Sequence, residues 1–146
     1  MEDFMAGITN KYVYIPFFLW LSIQIFKLIW DLVKEKKFNF KRILGAGGMP
    51  SSHSAVVCSL AALIGKNVGF DSPMFGLAVI FALVVMYDAA GVRRAAGKQA
   101  KLLNKIVETP GLGIEQVQER LVEVLGHSPK EVMVGAIIGI IVGLVL

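Results

Sequence analysis

The chain has 146 residues, of which 55% are hydrophobic and 18% charged, with a net charge of +4. Counting the 15 glycines, about 65% of it is apolar, where soluble domains hold about 45–50%. This excludes a disordered chain, a collagen-like repeat and a disulfide scaffold, and it sets a single membrane domain as the first expectation.

The first apolar stretch covers residues 12–33, with charge only at Lys27 and Asp31. Its Tyr12, Tyr14, Trp20 and Trp30 suit the two bilayer interfaces. It has neither a basic leader nor a small-residue cleavage site, so it is expected to be a retained helix rather than a signal. The second stretch covers about 52–70 and the third about 73–90. The single cysteine, Cys58, lies in the second and reads as a small core hydrophobe. A crossing needs about 20 residues, within about 17–25, and these three stretches qualify.

Between the third and fourth stretches, the composition of residues 94–107 favours helix. After Thr109-Pro110-Gly111, the apolar Ile114, Val117, Leu121, Val124 and Leu125 recur at helical spacing, with Glu115, Glu119 and Glu123 on another face. A helical insertion over about 94–125 is predicted, lying on the membrane or on a partner helix. The fourth stretch, 131–146, has 16 residues, about 24 Å of helix. It crosses only if the helix starts near Ser128 or the bilayer thins. Gly135, Gly139 and Gly143 repeat along it and permit close helix packing, within the chain or in a homo-oligomer.

The predicted fold class is therefore all-α: a single integral membrane bundle of about four transmembrane helices with a cytoplasmic amphipathic segment. Segments 31–50 and 91–130 carry five and seven basic residues, 12 of the 15 in the chain. By the positive-inside rule both lie in the cytoplasm, which explains the net charge without nucleic acid.

The chain has only two histidines, and each opens an apolar helix on the predicted cytoplasmic side. His53 follows Gly47-Gly48-Met49-Pro50-Ser51-Ser52. Glycines allow close backbone approach, and a helix N-terminus with hydroxyls and free amides suits a phosphate. An imidazole one turn in could protonate a leaving oxygen. The plainer alternative is a capped helix start with an interfacial histidine. His127 stands four residues before Glu131, on one helical face. A carboxylate there fixes the tautomer and raises the basicity of the other nitrogen, which suits a nucleophile. An ordinary interfacial ion pair reads the same way. Arg42, Arg93 and Arg94, with Lys36 and Lys41, bring positive charge to this surface. Guanidinium forks match phosphate oxygens, although loop charges also serve topology. Asp88, at the end of the third stretch, is a functional candidate or a partner for Arg93 or Arg94. No convincing metal cluster, phosphate loop or nucleophile elbow appears.

These elements resemble a known family. The run Gly48-Met49-Pro50-Ser51-Ser52-His53-Ser54-Ala55 is similar to the Pro-Ser-Gly-His signature of the type 2 phosphatidic acid phosphatases, or PAP2 proteins. That superfamily includes the vanadium haloperoxidases. His127-Ser128-Pro129-Lys130-Glu131-Val132 resembles the end of its third signature, and the whole chain, including Tyr87-Asp88-Ala89-Ala90-Gly91-Val92-Arg93-Arg94, resembles the small divergent PAP2 branch. The resemblance implies a metal-independent lipid phosphatase without a cofactor, in a bacterial plasma membrane; the charge map above puts its site on the cytoplasmic side. The third-signature histidine forms a phosphohistidine. Carried over, His127 is the nucleophile, Glu131 its orienting acid and His53 the general acid. Ser51, Ser52, Arg93 and Arg94, with Arg42, Lys41 and Gly48, hold phosphate, and Asp88 and Lys36 support them. Three departures stand out: Ser52 replaces a glycine, Glu131 replaces an aspartate, and Arg93-Arg94 lie far ahead of His127. A non-catalytic scaffold, or a small lipid or anion transporter, would use the same pocket without releasing phosphate.

Overall fold

In a computed structural model, residues 9–35, 48–109 and 121–146 are described. They form five helices: α1 (Lys11–Glu35), α2 (Ser52–Val68), α3 (Pro73–Ala90), α4 (Val92–Val107) and α5 (Pro129–Val145). Among the described residues there is no strand.

Serine starts three of these helices. Ser51, Ser72 and Ser128 each accept a backbone N–H of the first turn of α2, α3 and α5, and Pro73 and Pro129 occupy the first helical positions. A serine oxygen satisfies an amide that has no partner in its own helix, and proline there loses nothing by lacking an N–H. Gly69, at φ 117°, ends α2.

The centre of the bundle is α2, with α5, α3 and α1 packed around it. Its buried residues are mostly small, Ser54, Ala55, Cys58, Ser59, Ala61 and Ala62 among them, with Val57, Leu63 and Ile64 as the larger ones. The glycines of α5 meet this face. A Cβ at Gly135, Gly139 or Gly143 would run into the carbonyl oxygen of Ser51, Ala55 or Ser59 respectively. In lipid, apolar side chains gain little by leaving the solvent for a neighbouring helix, so close backbone contact and dispersion hold helices together. The outer faces carry the bulk: Phe17, Phe18, Ile25 and Ile29 on α1, and Leu77, Ile80, Phe81 and Val84 on α3, are all exposed.

The sequence predicts about four crossings; among the described residues two helical runs meet the length and apolarity needed, Lys11–Lys34 and the α3–α4 run Pro73–Val107. The other two, α2 and α5, have 17 residues each, about 26 Å, at the short end of the spanning range.

The insertion departs from expectation at its end. Its first part is α4, but residues 121–125 are not helical. The reason is Asn104, buried on α4. Its side chain accepts from the Leu121 N–H at 3.0 Å and donates to the Leu121 carbonyl at 2.8 Å and to Glu123 Oε1 at 2.9 Å. Those groups are then unavailable to a helical ladder. Gly97 lets the same segment lie against α4, since a Cβ there would strike the carbonyls of Glu123 and Leu125. The predicted positions Ile114, Val117, Glu115 and Glu119 lie outside the described residues.

Candidate active site

The site forms where α2 and α5 begin. Gly126, at φ 79°, turns the chain against the α3–α4 junction, where any side chain would meet the backbone of Arg93, Arg94 and Ala89. The next N–H, of His127, donates to the Ala89 carbonyl at 2.9 Å. His127 is thereby held at the head of α5 with only 2% of its surface exposed.

Three bonds fix its ring. Nδ1 lies 3.1 Å from Glu131 Oε2. The same oxygen accepts the Ser128 N–H at 3.1 Å, while Ser128 Oγ accepts the Glu131 N–H at 3.4 Å. This reciprocal box at the start of α5 locks the Glu131 carboxylate, which in turn locks the histidine. An ionised carboxylate only accepts, so the Nδ1 proton faces it and the lone pair stays on Nε2. That Nε2 is buried and makes no well-formed hydrogen bond among the described residues; its nearest polar influence there is the Gly48 backbone. Burial pushes the His127 pKa below the ordinary histidine value, with Lys27 adding to the effect, while the bond to Glu131 opposes it. The ring is therefore neutral at pH 7.

His53, on the first turn of α2, faces His127. Their ring centres are 6.0 Å apart with the planes at 60°. The two starts are also tied through backbone, because the Ser51 N–H donates to the Glu131 carbonyl at 3.0 Å.

The serines of the motif have another task. Ser51 is fully buried, and its Oγ accepts from the Ser54 N–H at 3.3 Å and the Ser54 hydroxyl at 3.0 Å. Ser52 is 3% exposed. Ser51 sits in the α2–α5 contact, against Gly135, and its hydroxyl caps α2. Gly48, at φ 79°, lines a cavity beside the site. Arg93 pairs with Asp88, Nε to Oδ2 at 2.5 Å, and the charges of both reach His53. Asp88 thus makes the salt bridge to Arg93 that was one of its two expected roles. Arg94 is exposed on α4. Arg42, Lys41 and Lys36 lie outside the described residues.

One residue was missed. Lys27 of α1 is 8% exposed, and its charge acts on both histidines. The signal was present in the sequence. Gln24, Lys27, Asp31 and Lys34 are spaced three, four and three apart, one polar stripe on an otherwise apolar helix. An ionisable side chain within a membrane helix is a functional candidate by default.

Residues 8–142 match the model of the divergent PAP2 family. Over 134 residues the chain is 38% identical to the uncharacterized membrane protein YuiD of Bacillus subtilis, covering 84% of this chain and 85% of YuiD. It is also 33% identical over 107 residues, 72% of its length, to RuvB-like helicase 1 of Schizosaccharomyces pombe, but spans only 23% of that protein. No solved structure matches it. With the family model matched over nearly its full length and a membrane relative aligned almost end to end, this chain belongs to the divergent PAP2 family.

Proposed function

We propose that the protein hydrolyses a lipid phosphate monoester or diphosphate through a phosphohistidine on His127. One observation carries this reading: a buried imidazole, held at Nδ1 by Glu131 and with no side-chain partner at Nε2 among the described residues, beside a second histidine. In the first step the Nε2 lone pair attacks phosphorus. The P–N bond forms, the P–O bond to the lipid breaks, and His53, which takes up a proton when the anionic phosphate binds beside it, gives that proton to the departing oxygen. Glu131 stabilises the positive charge that develops on the His127 ring. In the second step His53, now neutral, takes a proton from water, and the water oxygen attacks phosphorus. The P–N bond breaks, inorganic phosphate leaves, and both histidines return to their starting states. Lys27 and Arg93 supply the positive charge that the phosphoryl oxygens need. The basic segments 31–50 and 91–130 favour a cytoplasmic site by the positive-inside rule.

The test is phosphate release by purified protein in detergent, over a panel of lipid phosphates and diphosphates, with EDTA present. Release is expected to survive EDTA and to fall to background in His127→Ala. Equal release by the well-folded variant overturns the assignment. No release by the wild type on any lipid favours the scaffold or transport roles.

A further inference from the structure

We propose that α4 is a docking surface for the anionic lipids of the surrounding membrane, lying along the headgroup layer on the basic side of the bundle. The inference rests on the membrane fold and is independent of the phosphatase reading.

α4 carries three stripes at helical spacing. Gly97, Ala100 and Asn104 are buried. Within this stripe Gly97 and Asn104 hold the segment 121–125. The second stripe is cationic. Arg94, Lys98, Lys101 and Lys105, four, three and four apart, are all exposed. Among the described residues none of these four has a salt-bridge partner, whereas Arg93 has Asp88. No acidic residue occurs in α4 to neutralise them. The third stripe runs through Val92, Ala95, Gln99, Leu102 and Ile106, with Leu103 beside it, and only Gln99 in it is polar. Val92, Leu102, Leu103 and Ile106 are between 40% and 61% exposed. At about 100° per residue the apolar stripe lies nearly opposite the buried one, with the cationic stripe between them. An open apolar face edged by lysine and arginine is the pattern of a helix that lies in the plane of a membrane interface.

Position along the chain says where that interface is. The 18 residues of α3 make about 27 Å of helix, enough to cross a hydrocarbon core of about 30 Å. Only Gly91 separates α3 from α4, so α4 begins at headgroup depth. Gly91 leaves helical backbone, at φ −104° and ψ −86°, which interrupts the run and lets α4 change direction. Along the interface the apolar stripe meets the acyl boundary and the cationic stripe meets lipid phosphates.

An acidic protein is a poorer occupant. It would have to displace lipid from a helix that starts in the headgroup layer, and to match both stripes at once. An anionic leaflet offers negative charge beside hydrocarbon along the whole length of the helix, and the leaflet on the basic side of a membrane protein is the anionic one.

The test puts a reporter on the apolar stripe. In the full chain, Trp20→Phe and Trp30→Phe remove the native tryptophans and Leu102→Trp adds one. The protein is reconstituted in nanodiscs of equal parts phosphatidylcholine and phosphatidylglycerol, with bromine on the acyl chains of either lipid. Brominated phosphatidylglycerol is expected to quench at least about twofold more strongly than brominated phosphatidylcholine at the same content. Arg94→Gln, Lys98→Gln, Lys101→Gln and Lys105→Gln together are expected to erase that difference while both lipids still quench. Salt at about 1 M, where the Debye length is about 3 Å, is expected to shrink it without any charge variant, so a misfolded quadruple variant leaves the test intact. Ile106→Trp, one turn further on, gives a second reporter on the same stripe. Absence of quenching by either lipid means that α4 faces water or protein and overturns the proposal. Equal quenching by the two lipids overturns it as well. So does a preference that survives the glutamine substitutions or the salt, since the charge then lies elsewhere. None of these outcomes depends on turnover: a failure to release phosphate from any lipid removes the phosphatase reading and leaves this one standing.

Discussion

Helix α5 has two faces with opposite designs. Toward α2 it presents Gly135, Gly139 and Gly143, and the two backbones meet with no room for a methyl group. Toward α1 it presents Val134 and Ile138 across an open cleft. Both faces are apolar, and only side-chain size separates them. The closed face fixes the starts of α2 and α5, and so the spacing of the two histidines. The open face leaves space for a ligand next to that fixed pair. Precision and access are thus divided between two sides of one helix.

The largest expected effect comes from spoiling the closed face. Gly139→Leu puts a side chain into the Ala55 carbonyl and should prevent a stable bundle, read as loss of a cooperative thermal transition and of a monodisperse detergent elution peak. Overpacking costs typically about 1–3 kcal/mol, and more where the obstacle is backbone. If Gly139→Leu unfolds like the wild type, the two faces do not differ as described. Next in size is Glu131→Gln. It keeps the shape of the box but weakens the grip on His127, and phosphate release should fall by about 10²–10⁴-fold, the usual range for a proton-handling group. An unchanged rate would mean that the carboxylate serves only the helix start.

A pH profile sharpens the same point. The His127 pKa lies below its ordinary value of 6.5, chiefly through burial. The reactive neutral form therefore persists as pH drops through 6.5, and the acid limb of activity should fall below that value. Glu131 raises this pKa, so Glu131→Gln should move the limb further down. A limb above 6.5, or one moving up in the variant, contradicts the burial argument. The sign for stability agrees. An unfolded histidine binds its proton near pH 6.5 and the folded one only lower, so the histidine's linkage lowers stability as pH falls through that window.

Smaller effects are expected away from these contacts. Asn104→Ala should cost about 1–3 kcal/mol, through unsatisfied groups at Leu121, with little change in turnover. Denaturation and rate measurements together separate the two. Smallest is Ile138→Ala on the open face, expected to change stability by about 1 kcal/mol or less, because the side chain borders a cleft rather than filling a packed core. A loss equal to that of Gly139→Leu would erase the contrast.

Much of this was legible before any coordinates. Ser72-Pro73 and Ser128-Pro129 mark helix starts by local chemistry alone. The four-residue step from His127 to Glu131 puts them on one face of any helix. The glycine repeat of α5 announces a close contact without naming the partner. What stayed hidden depends on distant parts of the chain. Ser51 reads equally well as a phosphate ligand or a cap, and only its burial against Gly135 decides. Lys27 acquires its meaning from histidines that follow it by 26 and 100 positions. Residues 121–125 keep a helical pattern of apolar side chains, yet Asn104, 17 positions away from Leu121, takes the backbone groups that a helix needs. Periodicity describes what a segment could bury and is silent on which neighbour claims its amides.

Glu131 has a consequence for how the bundle meets a change in bilayer thickness. Its carboxylate grips His127 while its backbone carbonyl grips Ser51, at the head of the helix that bears His53. One residue therefore clamps both histidine-bearing ends. When lipid composition changes, a long helix such as α1 answers by tilting, and the cleft it borders widens or narrows. The spacing between the two rings is insulated from that motion. Bilayer thickness is then a variable to which the width of the cleft responds while the geometry of the histidine pair does not.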